Sequence, residues 1–177
     1  MINPWHDVSC GEKAPEIVNA VIEIPKDSKI KYELDKKTGM LKLDRFLYSA
    51  VYYPGDYGFI PQTLWDDNDP IDIIILTNRP VYPMTLVKAR IIGVLRMVDN
   101  GEKDDKLIAV YHDDPRFTEI EDVKDIPKHI IQELKHFFET YKHLQGKHCI
   151  IPEILDKQHA IKDVERAIKM YKEEYKK

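Results

Sequence analysis

The stretch Asp66-Asp67-Asn68-Asp69-Pro70-Ile71-Asp72-Ile73-Ile74-Ile75-Leu76 places four carboxylates within seven residues and then becomes apolar. Residues 71–77 predict a buried β-strand, because the run is short, apolar and preceded by turn-forming residues. Asp72 shares a strand face with Ile74 and Leu76, so its carboxylate needs a partner. At roughly 5 Å and an effective dielectric of about 20, two ionised carboxylates repel by about 3 kcal/mol. A cation is therefore expected among these acids.

Other short strands are predicted on both sides of this run. The patterns favour strands over residues 17–24, 29–34, 40–46, 86–97 and 106–111. No helix is predicted between them, and many short strands without intervening helices are typical of a barrel or a sandwich.

Two helices are predicted after the strands. Pro127 suits a first helical position, apolar residues recur on one face up to Leu144, and Gly146 is a natural stop. A second apolar stripe runs from Ile161 to Tyr175, with Lys and Glu on the opposite side. We expect a mainly β fold with flanking helices, of the α+β class, in one domain spanning residues 1–177.

Composition excludes several classes of protein. The 177 residues, 43% of them hydrophobic, suit one compact domain with a sizeable core. A net charge of −4 with both signs interleaved argues against a nucleic-acid or anionic-membrane surface. Cys10 and Cys149 have no metal-ligand spacing, so we expect free thiols in a reducing cytoplasm. The N-terminal residues show no basic flank followed by an apolar run, so we expect no targeting segment, and the longest apolar stretches are far below membrane-spanning length.

A second acidic segment, Asp99-Asn100-Gly101-Glu102-Lys103-Asp104-Asp105-Lys106, lies between two other predicted strands. Each segment taken alone is typical of a solvated turn, but two of them, with one carboxylate directed inward, favour a cation site. Oxygen ligands without a His or Cys cluster favour Mg²⁺ or Mn²⁺ over zinc. An EF-hand fails, because counting from Asp67 puts Asp72 where that loop requires glycine.

Cationic and aromatic side chains that could bind a phosphate-type anion lie nearby in the sequence. Lys31 and Glu33 share one strand face, and Arg45 follows Asp44 near a strand end. Arg offers a planar fork for phosphate oxygens, whereas Lys acts as a point charge. Each of these residues taken singly is more typical of a surface charge or a core aromatic.

Several motifs together resemble one family. Asp67-Asn68-Asp69-Pro70-Ile71-Asp72 resembles the Asp-x-Asp-Pro-x-Asp signature of the family I soluble inorganic pyrophosphatases. The resemblance continues, in order and spacing from about residue 15 to 147, in Val21-Ile22-Glu23-Ile24-Pro25, Lys31-Tyr32-Glu33, Asp44-Arg45-Phe46, Tyr53-Pro54-x-x-Tyr57-Gly58, Gly93-Val94-Leu95-Arg96-Met97-x-Asp99, Asp104-x-Lys106 and His136-Phe137-Phe138-Glu139-x-Tyr141-Lys142. The chain length resembles that of the prokaryotic branch.

The resemblance implies an OB-like, five-stranded closed β-barrel with two principal α-helices. It also implies Mg²⁺-dependent hydrolysis of pyrophosphate to two phosphates, with several Mg²⁺ ions per site and Mn²⁺ or other divalent cations as substitutes. Prokaryotic members assemble as homohexamers, which makes a homohexamer the expected assembly here. The helical face around His136, which we place with His143 on one helix, is a candidate contact.

The resemblance also implies a role for each matching residue. Asp69 resembles the general base. The expected metal ligands are Asp67, Asp72, Asp99 and Asp104; the outer carboxylates acting on metal-bound water are Glu23 and Glu33; the substrate-binding residues are Lys31, Arg45, Tyr53, Tyr57, Lys106, Tyr141 and Lys142. Asp66 receives no role, and Asn100 stands where many relatives carry an acid.

Other functions remain open at this point. A nucleic-acid-binding OB module would need a basic groove with stacking aromatics, whereas the diagnostic loops here are acidic. A divalent-cation buffer would need the carboxylates but not Lys31, Arg45 and Lys142. A metal-dependent phosphatase acting on a broader phosphoanhydride substrate is the closest alternative. The segment 148–156 departs from the family pattern, and we expect it to affect packing or assembly more than chemistry.

Overall fold

The computed structural model describes residues 2–176, and within that range the chain forms eleven β-strands and two α-helices. The strands are β1 Ile17–Ile24, β2 Ile30–Leu34, β3 Leu41–Phe46, β4 Asp56–Phe59, β5 Asp72–Leu76, β6 Leu86–Leu95, β7 Val98–Asp99, β8 Glu102–Lys103, β9 Lys106–Tyr111, β10 Cys149–Ile150 and β11 Ile154–Asp156. The helices are α1 Lys128–Thr140 and α2 Lys157–Tyr175. The strands predicted from sequence are confirmed to within two residues at each end.

Five of these strands close into a barrel. They pair in the order β1-β4-β5-β9-β6, and β6 pairs again with β1. The ten-residue β6 makes this closure, because its first half pairs with β1 and its second half with β9. All these pairs are antiparallel except β5 with β9. The expected OB-like barrel with two helices is confirmed.

Strand β5 is buried on both faces, which explains its continuous apolar sequence. Ile74 and Leu76 pack in a cluster that includes residues of α1, whereas Ile73 and Ile75 pack in a cluster that includes residues of α2. Asp72 lies at the start of β5, on the α1 side. The acid is thus placed at the end of a strand that both helices cover.

Strand β4 was not predicted from the sequence. Pro54, Gly55 and Gly58 lower the strand propensity of this short segment. Gly58 is required there by close packing, because a Cβ at this position would lie 1.9 Å from the backbone oxygen of Val21 on β1. The feature that weakens the sequence signal is therefore the one that lets β4 pair with β1.

The first helix is shorter than predicted. α1 ends at Thr140, and a separate 3₁₀ turn, His143–Gln145, precedes Gly146, whose φ of 70° ends the segment. The prediction that His136 and His143 lie on one helix is therefore wrong. Helix α2 is confirmed, and the side chain of Asp156 caps its first turn. No helix within residues 2–176 is long and apolar enough to cross a membrane.

The divergent segment after Gly146 extends the sheets. β10 pairs with β7, so that Cys149 lies opposite Asp99, and β11 pairs with the end of β6. The Cys149 sulfur lies 3.5 Å from an Asp99 carboxylate oxygen. Both Cys10 and Cys149 are free thiols, as expected. The segment therefore adds packing and also brings a thiol next to an expected metal ligand.

Buried Asp56 on β4 makes stability dependent on pH. Its carboxylate accepts hydrogen bonds from the backbone N–H of Lys26 and from the Tyr111 hydroxyl, yet burial raises the pKa of Asp56 above its usual value. The folded state therefore binds more protons than the unfolded state between pH about 4 and the raised pKa, and the free energy of unfolding should fall as pH rises through that interval.

We expect Asp56→Asn to remove this pH dependence, because an amide of the same shape does not titrate. The difference in unfolding free energy, wild type minus variant, should therefore decrease as pH rises above about 4. Urea unfolding of both proteins at several pH values measures it. A difference that stays constant with pH would show that Asp56 does not titrate differently on folding.

Candidate active site

A cavity of about 610 Å³ opens at one end of the barrel. Its walls come from the β2–β3 hairpin, from the acidic segment, residues 66–72, from the start of β9 and from the end of α1. Every residue that the sequence predicts for the site lines this cavity except Arg45 and Asp99. The expected residues therefore come together in space, although they are spread from Glu23 to Lys142.

Lys106 lies at the centre of the acidic wall. It faces Asp72 across the parallel β5–β9 pair, and its ammonium donates to Asp72 at 2.5 Å and also to Asp104. The Tyr57 hydroxyl donates to the same Asp72 oxygen at 2.6 Å. Burial alone would lower the pKa of Lys106, but the carboxylates of Asp72 and Asp104 raise it, so the side chain is a fixed cation.

Two carboxylates of the cavity have raised pKa values, because they are buried and lie near other acids. Burial, with the charges of Asp72 and Asp104, raises the pKa of Asp67 to about 6. Burial and the charge of Asp72 raise the pKa of Glu23 to about 8, although Glu23 accepts a hydrogen bond from the Leu34 backbone at 2.6 Å. These acids would release their protons more readily in the presence of a bound cation.

A tight backbone turn holds Asp69 in place. The Trp65 N–H donates to the Asp69 carbonyl at 2.7 Å, and the Asp69 N–H donates to the Asp67 carboxylate at 3.0 Å. Asn68 between them has a φ of 64°, which Asn tolerates better than most residues. Since backbone atoms make these contacts, the Asp69 side chain is left to face the cavity, where it pairs with Lys36.

The cationic wall is built on the hairpin. Lys31 pairs with Glu33 at 3.2 Å and with Asp44 at 3.1 Å, and Asp44 also pairs with Arg45 at 3.1 Å. The Nε and one Nη atom of Arg45 are buried and have no hydrogen-bond partner within residues 2–176. Unpartnered buried guanidinium nitrogens are suited to an anion that the protein itself does not supply.

Asp99 lies outside the cavity lining, next to Lys142. Its carboxylate pairs with Lys142, which lines the cavity, and this pairing lowers the pKa of Asp99 although burial opposes the shift. The structure therefore places Asp99 one contact away from the cavity rather than in its lining. Arg45 is separated from the lining in the same way, since Asp44 links it to Lys31.

The donor set fits a hard divalent cation. Five aspartates line one cavity, and burial together with the charges of Asp72 and Asp104 raises the pKa of Asp67. Oxygen donors of this kind suit Mg²⁺. In the arrangement observed for residues 2–176, no three of these groups already enclose a cation, and the Lys106 ammonium contacts both Asp72 and Asp104. Metal binding would therefore require these side chains to rearrange.

The sequence did not identify Lys36 as a site residue. Lys36 follows β2, lines the cavity and pairs with Asp69, and its ammonium also lies 5.3 Å from the centre of the Trp5 ring. The Asn3 side chain donates to the Lys36 carbonyl at 3.2 Å. A lysine in a turn carries no periodic signal, and its contacts come from residues more than thirty positions away, so neighbouring sequence could not reveal it.

We expect Lys36→Gln to raise the KM for an anionic substrate by roughly three- to tenfold with a smaller change in kcat. The reason is that a half-exposed ammonium at the cavity rim contributes on the order of 1 kcal/mol to attraction of an anion. Steady-state kinetics measure the effect, with Lys13→Gln as the control that removes the same charge from an exposed residue outside the cavity lining. Equal effects of both substitutions would contradict a specific role for Lys36.

The closed barrel and a cavity that combines crowded carboxylates with lysines define a class of protein, a β-barrel enzyme acting on phosphate-type anions. The family described as inorganic pyrophosphatase matches residues 20–172. Soluble inorganic pyrophosphatase 1 of Arabidopsis thaliana is 47% identical over 97% of this chain and 81% of its own length. Soluble inorganic pyrophosphatase 2 of Chlamydomonas reinhardtii is 48% identical over 98% of this chain and 90% of its own length.

Solved structures agree with these sequence matches. The crystal structure of the inorganic pyrophosphatase from Thermus thermophilus superposes with a TM-score of 0.94 at 43% identity, covering 97% of this chain and 99% of that one. The chain belongs to the soluble inorganic pyrophosphatase family. It is therefore an inorganic diphosphatase, and the resemblance drawn from the motifs is confirmed.

Proposed function

We propose that the chain hydrolyses pyrophosphate to two phosphates with Mg²⁺, by in-line attack of an activated water. The observation that carries this proposal is the cavity in which Asp69 faces a wall of Asp67, Asp72 and Asp104 with the fixed ammonium of Lys106. Asp67, Asp72 and Asp104 would hold the cations, with Asp99 joining them and with Glu23 and Glu33 in the surrounding shell. Mn²⁺ would replace Mg²⁺ with the same ligands.

The proposed proton transfer depends on Asp69. Divalent cations, when bound, lower the pKa of water and neutralise phosphate oxygens. An ordinary aspartate, with a pKa of about 4, is a weak base towards bulk water. In this proposal Asp69 accepts the proton only from a water that has already been acidified, and the turn described above holds its carboxylate towards the cavity.

The remaining residues would bind and stabilise phosphate oxygens. Lys31, Arg45 and Lys142 lie on walls that face or adjoin the acids, and the unpartnered nitrogens of Arg45 support this role. Fixed cations directed at developing charge lower the barrier to phosphoryl transfer. The hydroxyls of Tyr53, Tyr57 and Tyr141 add to the same walls; burial raises the pKa of each, which keeps them neutral donors.

Phosphate release from pyrophosphate tests the proposal. We expect release in the presence of Mg²⁺ and its loss when a chelator is added, with activity restored by excess Mg²⁺. Parallel reactions with tripolyphosphate and a nucleoside triphosphate separate pyrophosphate hydrolysis from a broader phosphoanhydride hydrolase. Well-folded protein that releases no phosphate with Mg²⁺ would overturn the proposed cofactor.

We also propose that residues 1–177 form a single domain that assembles as a homohexamer in the cytoplasm. Support comes from large apolar side chains that are individually exposed and that contacts between copies of the chain would cover; they include Phe46, Tyr48, Tyr52, Tyr82 and Leu86. The free Cys10 and Cys149 suit a reducing compartment. Light scattering coupled to size-exclusion chromatography measures the assembly, and a monomeric mass would reject the hexamer.

A further inference from the structure

Asp66, which the family motifs leave without a role, is bound by helix α2. Two guanidinium nitrogens of Arg166 contact the two Asp66 carboxylate oxygens, one of them at 3.2 Å, which is a bidentate arrangement. The Arg166 guanidinium also lies over the Trp65 ring, 4.5 Å from its centre. Trp65 is buried. One arginine thus contacts both residues that lead into Asp67.

A second ion-pair group fixes α2 to the barrel. Arg96, directly after β6, lies 2.8 Å from Asp105 and 2.7 Å from Asp163 on α2. Asp105 also accepts a hydrogen bond from the Met97 N–H at 3.1 Å. These groups are more buried than Asp66 and Arg166. These ion pairs therefore join the helix that carries Arg166 to the barrel through Asp105, which follows Asp104 in the sequence.

The backbone reinforces the contact between α2 and the acidic segment. The Leu64 N–H donates to the Ala167 carbonyl of α2 at 3.0 Å, next to Arg166 in the helix. Ala167 is buried in the same cluster as Trp65. The residues just before the acidic segment therefore contact α2 through a main-chain hydrogen bond, an aromatic ring and an ion pair.

We propose that Arg166 is a positioning residue that sets the geometry of the acidic segment, so that Asp67 and Asp69 are presented to the cavity in the arrangement that cations require. Arg166 itself lies outside the cavity lining and acts through Asp66 and Trp65. This inference rests on the proposed function, since it assumes that Asp67 is a metal ligand. Residues that support a ligand in this way commonly change metal affinity when they are replaced.

The sign of the effect separates positioning from a simple electrostatic field. Arg166 carries a positive charge close to a site that would bind cations, so the field argument alone predicts that removing this charge strengthens Mg²⁺ binding. Positioning predicts the opposite, because the unrestrained acidic segment must be ordered when Mg²⁺ binds. The Arg166→Lys variant keeps the charge, but its ammonium can neither make the bidentate contact with Asp66 nor stack on Trp65 as a planar group.

Isothermal titration calorimetry with Mg²⁺ alone, without substrate, tests the proposal on the intact protein. We expect Arg166→Gln to raise the Mg²⁺ dissociation constant by about two- to fivefold, the factor that a half-exposed ion pair allows. Arg166→Lys should raise it by a smaller factor. The matched control is Lys169→Gln, which removes a charge from an exposed residue of the same helix whose side chain pairs only with Glu173 within residues 2–176, and it should leave the constant unchanged.

A double-mutant cycle makes the test independent of single-variant artefacts. Positioning through one ion pair predicts that Asp66→Asn combined with Arg166→Gln weakens Mg²⁺ binding no more than the worse single substitution. Unchanged or tighter binding by folded Arg166→Gln would overturn the proposal. Failure of the proposed function is distinguishable, because wild-type protein would then show no Mg²⁺-dependent phosphate release, whereas failure of this inference leaves wild-type activity intact.

Discussion

Asp69→Asn should lose about 10² to 10⁴ of the turnover of pyrophosphate, the range typical when a positioned general base is removed. An amide oxygen cannot accept the proton of the attacking water at the pH at which a carboxylate can. The fold should survive, because the contacts that hold the turn use the backbone carbonyl and N–H of residue 69. Steady-state phosphate release at saturating Mg²⁺ measures the loss.

Metal affinity provides the decisive second measurement for this variant. Asp69 is proposed as the base and not as a ligand, so Mg²⁺ binding by calorimetry should stay close to that of the wild type. Asp113→Asn is the control, because this carboxylate is 82% exposed and lies outside the cavity lining. Near-normal turnover would remove Asp69 from the base role, and a large loss of Mg²⁺ affinity would assign it to the ligands instead.

The buried strand and its acids show what the sequence could predict. The apolar run of β5 and the carboxylates before it are local features, and their meaning follows from periodicity and charge repulsion. Strand β4 shows the opposite case. Its Gly58 is explained only by the approach of β1, a partner more than thirty residues away in sequence. The one barrel strand that local propensity missed therefore forms because of tertiary packing.

The site residues also fall into those that the sequence identified and those that it did not. Residues within family motifs were identified because each motif carries its own spacing, whereas Lys36 and Arg166 lie in a turn and on an ordinary amphipathic helix. Their partners, Asp69 and Asp66, are 33 and 100 positions away. Ion pairs formed across such distances leave no trace in neighbouring residues. The structure supplies these contacts, and the role proposed for Asp66 rests on them.

Lys106 has two opposing effects in the proposed mechanism. Its ammonium lies between Asp72 and Asp104 and so occupies oxygens that a cation would use. The same fixed charge, buried at the edge of the cavity, would stabilise phosphate oxygens during hydrolysis. In this proposal a single residue would weaken metal binding in the absence of substrate and support turnover in its presence.

Lys106→Met should separate these effects, because methionine keeps a flexible apolar stem and removes the charge. We expect turnover to fall by about 10² to 10³, the usual consequence of removing one charge-stabilising group. Mg²⁺ binding without substrate should tighten by roughly tenfold or more, since a unit charge at about 5 Å in an effective dielectric of about 20 is worth on the order of 3 kcal/mol. Calorimetry and steady-state kinetics measure the two quantities on the same preparation.

The free energy of unfolding offers a third observation on this variant. Without the ammonium, Asp72 and Asp104 repel each other, so metal-free Lys106→Met should be less stable than the wild type and should regain stability as Mg²⁺ is added. Lys88→Met, which removes an exposed lysine from barrel strand β6, is the matched control and should change none of the three quantities. Weaker Mg²⁺ binding by a folded Lys106→Met protein would show that Lys106 organises the acids for the cation rather than competing with it.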